Sequence, residues 1–229
     1  MKRLTTSIAL ILSIAVGLNA AESPVADAAA RGDRDAVKAL LKKAADVNAA
    51  QGDGMTALHW AAMSGDLELA EMLIVAGANV RATTRLGTYT PLYLASQQGH
   101  GPVIQALITA GADLKTGTPN GTTPLMVAAA AGEVAAVKVL IENGADVNGK
   151  DGVRAQTPLM YAAASNRAAV IELLAANGAD LKATSKVSNL ANLSREGLGF
   201  GGNPQVPGGG AGAAPAARRA PMPGVDRNY

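Results

Sequence analysis

Two histidines, His59 and His100, are the residues of this 229-residue chain whose ordinary pKa suits general acid-base work near neutral pH, and cysteine is absent. Hydrolysis through a nucleophile would need one of these imidazoles beside an activated Ser or Thr, and a metal centre would need them grouped with carboxylates. Neither histidine has a partner at a spacing that implies a triad or a ligand cluster. Among the carboxylates, Asp113, Asp146 and Asp180 recur at steps of 33 and 34 residues. Such recurrence points to turn formation rather than to a special acid/base pair. The glycine runs Gly201-Gly202 and Gly208-Gly209-Gly210 have no Lys-Ser or Lys-Thr after them and no strand pattern before them, so they are not phosphate loops. Asn120-Gly121-Thr122 and Asn192-Leu193-Ser194 match the acceptor pattern for N-glycosylation, which matters only where exported chains are glycosylated. The expectation is a protein that is not an enzyme and takes no cofactor and no metal.

The elements that position these residues repeat. The tetrads Thr56-Ala57-Leu58-His59, Thr90-Pro91-Leu92-Tyr93, Thr123-Pro124-Leu125-Met126 and Thr157-Pro158-Leu159-Met160 follow one another at 34, 33 and 34 residues. Gly77-Ala78, Gly111-Ala112, Gly144-Ala145 and Gly178-Ala179 keep the same steps, with Ala44-Ala45 one period earlier. A mid-repeat turn at Gly65, Gly99, Gly132 or Asn166 always lies nine positions after the Thr, and the Gly-Ala pair twelve beyond that. The helical part is therefore constant, and the one-residue variation falls in the connection after Gly-Ala. Thr can cap the first N-H groups of a helix, and Pro after it sits where its missing N-H costs little. Leu58, Ala61 and Ala62 give a short helix with a narrow apolar stripe, ended by Gly65 in a left-handed conformation. Leu69, Met72, Leu73 and Ile74, and later Val137, Val139, Leu140 and Ile141, supply a second helix. An Asp or Asn with Val or Leu then leads into a turn, as in Asn79-Val80, Asp113-Leu114, Asp146-Val147 and Asp180-Leu181.

On these tetrads and spacings the chain resembles the ankyrin-repeat family. The resemblance covers residues 23–184 as five units, 23–49, 50–83, 84–117, 118–150 and 151–184, the first degenerate with Ser23-Pro24 for Thr-Pro and Gly32-Asp33 for the turn. It implies an all-α repeat solenoid, an ankyrin stack of helix-turn-helix units with projecting β-hairpin loops. Each repeat then touches only its neighbours. It also implies that His59 makes structural hydrogen bonds and that His100 occupies a usual family position. Arg31, Asp33, Arg34, Asp35, Lys38, Lys42 and Lys43 suit the first unit for a polar cap, whereas Val170, Ile171, Leu173 and Leu174 in the last include positions in want of a cover.

At the start, Lys2 and Arg3 precede an apolar run from Ile8 to Leu18, with Ala20 and Ala21 behind it. This reads as a signal peptide, residues 1–20, because the run is about half of the ~20 residues that a membrane-crossing helix needs. The mature chain is expected to be periplasmic or secreted, with no membrane insertion after cleavage. It would have zero formal charge, split between 13 basic and 16 acidic residues over 21–184 and 5 and 2 over the remainder. Such a balance, with only six aromatic residues, argues against nucleic acid as a partner. Residues 185–229 read as a Gly/Pro/Ala-rich flexible tail or linker, with Val187 to Leu198 able to form one short helix.

What remains is a surface. The resemblance implies a protein partner held by variable residues of hairpin tips and first helices: Met55, Met63, Ser64, Arg85, Tyr89, Gln97, Gln98, Asn120, Thr122, Arg154, Gln156 and Ser165. Trp60 is read as helix packing that doubles as a contact. The expected protein is a monomeric, non-enzymatic interaction module. The alternatives are the binding or regulatory arm of a longer protein whose active domain lies beyond residue 229, and a scaffold retained by its tail.

Overall fold

The computed structural model describes residues 23–186. The expected signal peptide, the short helix over 187–198 and nearly all of the tail lie outside the described residues.

Ten helices are present among the described residues, and they come in five pairs: α1 Pro24–Ala30 with α2 Arg34–Lys42, α3 Ala57–Ser64 with α4 Leu67–Val75, α5 Pro91–Gln98 with α6 Gly101–Thr109, α7 Pro124–Ala131 with α8 Val134–Glu142, and α9 Pro158–Ala164 with α10 Ala168–Ala176. Helices of seven to nine residues are too short to hold their shape in water alone, so packing must stabilise them. The odd-numbered helices pack one against the next in a single column, and α4, α6, α8 and α10 form a second column beside it. Leu58, Leu92 and Leu125, from the tetrads, are fully buried between the columns with Leu73, Leu107 and Leu140. Small residues allow this close approach: Ala57, Ala61, Ala62, Ala95, Ala128 and Ala129 have essentially no exposure. One continuous apolar core runs through all five pairs. Leu159, Ile171 and Leu173 of the last pair are only half-buried, and the charged residues of α2 are exposed.

The turns follow their residues. Gly65, Gly99 and Gly132 have φ of +73°, +78° and +90° and end α3, α5 and α7. The Asx turns that follow the helix pairs form: Asp46, Asn79, Asp113, Asp146 and Asp180 each accept from the backbone N-H two residues on, at 2.8 to 3.0 Å. The recurrent aspartates are thus occupied in holding turns.

Two local expectations need correcting. Thr90 and Thr123 do cap their helices, accepting from the N-H of Tyr93 and Met126, but Thr56 turns its hydroxyl to His59 and the buried Thr157 hydroxyl has no partner. The connections between pairs are closed loops that do not register as strands among the described residues. Each is closed by a backbone bond across its base, Gln51 N-H to Met55 O, Thr84 to Tyr89, Thr118 to Thr122 and Asp151 to Gln156, and the two short loops add a turn bond, Gly54 to Gln51 O and Gly121 to Thr118 O. Such bonds close a hairpin but do not make the ladder that defines a strand.

Candidate functional site

His59 organises the second and third pairs. Its Nδ1 accepts from the Thr56 N-H at 3.1 Å, so Nε2 carries the proton and donates to the Tyr89 carbonyl at 3.0 Å. Burial pushes the imidazole below the ordinary histidine range, against the opposing pull of the Tyr89 and Ala82 carbonyls and the Asp53 carboxylate. A fully buried neutral ring whose two nitrogens are both engaged is a structural bolt. His100 plays a similar part at the mid-repeat turn, where its Nε2 lies 3.2 Å from the Met63 carbonyl. The two imidazoles have separate tasks, and no group of three or more His, Asp or Glu able to hold a metal is assembled among the described residues.

Fixing Tyr89 places its ring on that of Tyr93, with centroids 4.9 Å apart and planes 21° apart. Around this pair a second apolar cluster forms, separate from the main core: Met55, Tyr93 and Leu94 are buried, with Trp60, Met63, Tyr89 and Val127 packed against them in part exposed. Burial, with the neighbouring Tyr89 and Tyr161, pushes the Tyr93 phenol up to about 12, so it stays neutral. The Trp60 indole N-H donates to Gln51, and Gln51 to Asp27, which fixes the Trp plane. Five large side chains rich in sulfur and π surface line this face of the odd-numbered column. Such side chains adapt to an apolar partner and are enriched at binding surfaces.

A second feature lies between the hairpin tips of the fourth and fifth pairs. Asn120, Thr122, Asp151, Val153, Arg154, Gln156 and Tyr161 line an open cleft of about 370 Å³. Burial works to raise the Asp151 pKa, but the N-H groups of Arg154, Gln156 and Val153 and the Tyr161 hydroxyl outweigh it and hold the carboxyl below its usual range. On the other column an apolar groove of about 740 Å³ separates α4 from α6, bordered by Ile74, Pro102 and Val75, which is 89 % exposed.

The sequence-predicted residues divide among these places. Met55, Met63 and Tyr89 meet in the aromatic cluster, although Met55 is only 8 % exposed. Asn120, Thr122, Arg154 and Gln156 meet around the cleft. Ser64, Arg85, Gln97, Gln98 and Ser165 join neither group; the Ser64 hydroxyl turns back to the Trp60 carbonyl, and Arg85 and the two glutamines are exposed. Sequence reasoning missed Tyr93, Leu94, Val127, Asp151, Val153 and Tyr161. Tyr93 carried a signal, because it breaks the His of the tetrad with a larger ring.

A family model described as "Ankyrin repeats (3 copies)" matches residues 8–85, 25–118 and 92–185. Among curated proteins, the chain is 37 % identical over 123 residues to the nuclear factor NF-kappa-B p105 subunit of Gallus gallus, covering 52 % of this chain and 12 % of that one. It is 37 % identical over 106 residues to ankyrin repeat and SOCS box protein 3 of Homo sapiens, covering 45 % and 20 %. With protein PhlB of Serratia liquefaciens it shares 39 % over 95 residues, or 42 % of each chain. The chain thus spans a fifth or less of the first two relatives' length.

Proposed function

The chain belongs to the ankyrin-repeat family, whose stacks serve as protein-protein interaction modules, and from that premise we propose that it binds a protein partner in the periplasm or outside the cell. The observation that carries the reading is the second apolar cluster. Met63, Tyr89 and Trp60 hold part of their surface in solvent on a face already rigid through His59, so little order is lost when a partner covers them. The hairpin residues Arg85, Asn120, Thr122, Arg154 and Gln156 would set specificity around this apolar centre, as polar rims do. The module acts as a monomer and performs no chemistry of its own. Export rests on the basic, apolar and small-residue pattern of residues 1–21.

The test is capture from a periplasmic extract on the full chain, beside a variant with Met63, Tyr89, Gln97 and Gln98 changed together to Ala. A partner held by the first and lost by the second, with unchanged thermal unfolding, is the expected result. Equal recovery by both would remove this face as the binding surface. Recovery of the chain only in the cytoplasmic fraction of its host would remove the proposed location. The lengths of the relatives favour one further reading, a binding arm of a longer protein. A native reading frame that stops after Tyr229 would exclude it.

A further inference from the structure

Polar links between successive helix pairs are spread unevenly along the stack. Between the first and second pairs, Arg34 bridges to Asp66 and to Glu68, and Asn48 clamps the next turn by donating to Gly77 O at 3.2 Å and accepting from Asn79 N at 2.7 Å. Between the second and third, His59 reaches Tyr89, His100 reaches the Met63 carbonyl, Arg81 donates to Gly111 O, and Arg85 N-H donates to Asp53 O. Between the fourth and fifth, Asn148 clamps Gly178 and Asp180, Arg167 donates to the Ala130 carbonyl, and Gly152 N-H donates to Asn120 O. Between the third and fourth, the single polar link is an exposed bond from Asn143 to Gln105 at 3.1 Å.

Each missing link has a cause in one residue. The hairpin-tip donors Arg85 and Gly152 directly follow the residues that close their loops, and the corresponding residue of the fourth pair is Pro119, which has no N-H. His100 and Arg167 donate to a carbonyl of the preceding first helix, but the equivalent residue is Glu133, a carboxylate with nothing to donate. At the place where Asn48 and Asn148 clamp the next turn and Arg81 donates to it, the fourth link would fall to Lys115, whose ammonium makes no such bond. Beyond that one exposed bond the interface rests on packing, α5 on α7 and α6 on α8.

We infer that the stack has a built-in seam between α6 and α7, at which α7–α10 opens as one unit while α1–α6 stays folded. Repeat arrays can open between repeats, because each repeat is held only by its neighbours, and here the neighbours share the fewest polar links. Opening there strips Val127 from the cluster of Tyr93 and Leu94, so the seam crosses the aromatic face rather than lying beside it.

Native-state hydrogen exchange on the full chain in sub-denaturing urea tests this. Amides of α7–α10 are expected to share one opening event that leaves α1–α6 protected. In the variant K115N/P119G/E133R, which restores the three kinds of link, protection of α7–α10 should rise about tenfold and the boundary should fade. Exchange of both blocks through a single event, a boundary at another interface, or unchanged protection in a folded triple variant would each overturn the seam. Should the triple variant not fold, N148A/R167A gives the complementary reading. It should create a new boundary between α8 and α9 while the one at the seam persists; absence of the seam boundary in that variant overturns the inference equally.

Discussion

Ser96 is fully buried in α5, and its hydroxyl has no partner. The equivalent residues Ala62, Ala129 and Ala163 carry no polar atom there. Ser96→Ala is therefore expected to raise stability by about 1 kcal/mol, measured as a higher urea midpoint at constant slope; a lower midpoint would mean the hydroxyl bonds a group that the geometry does not show. His59 governs a pH response. Its folded pKa lies below its unfolded one, so the unfolded chain binds the proton more tightly. Its contribution is complete above about pH 6.5 and is lost as pH falls from there toward the lower folded value. Unfolding midpoints should drop between pH 7.5 and 5.5, and His59→Asn should flatten that window while lowering stability throughout. A native chain already flat across the window would show that protonation leaves the bolt intact. The structural role of His59 was legible because tetrad position and residue type agree. The fate of the Thr hydroxyls was not, since whether Thr56 caps a backbone N-H or bonds the imidazole depends on a ring three residues on.

Helix ends were the most readable elements. Gly77, Gly111, Gly144 and Gly178 all lie near φ of +84° to +89°, and a Cβ at any of them would meet nothing within 4 Å. Backbone conformation alone demands glycine there. Ala44 holds the same place in the first unit at φ +56°, a left-handed conformation that costs an L residue roughly 1–2 kcal/mol. Ala44→Gly relieves this and adds back ~0.5–1 kcal/mol of chain entropy. A net gain of about 0.5–1 kcal/mol is expected, confined to α1 and α2 in hydrogen exchange. A gain spread evenly through the chain would show that the first unit does not melt by itself. The hairpins were harder to read, because the periodicity fixes where the chain leaves the helices but not how many cross-loop bonds follow. The loops close over 51–55 and 118–122 but over 84–89 and 151–156, one residue longer.

At the scale of the whole stack, repetition made the fold plain and the binding surface obscure. Residues that recur explain the core, and a binding face must be sought among those that do not; exposure then decides, and exposure is a tertiary property. Tyr93 and Leu94 show the difficulty, since they sit within a helix whose pattern reads as packing, yet they form a separate cluster beneath Tyr89. The apolar core continues unbroken across all five pairs while the polar links thin to one between the third and fourth. Short and long loops alternate along the chain, and the positive φ just before the closing residue falls on Gly54 and Gly121 in the short ones and on Thr88 and Ala155 in the long. The tip bond from Arg85 to Asp53 is repeated by that from Gly152 to Asn120, and the turn bond from His100 to Met63 by that from Arg167 to Ala130. Two kinds of fastening thus skip one joint and reappear beyond it, so a load passed along the stack is carried at that joint by apolar packing and one exposed bond.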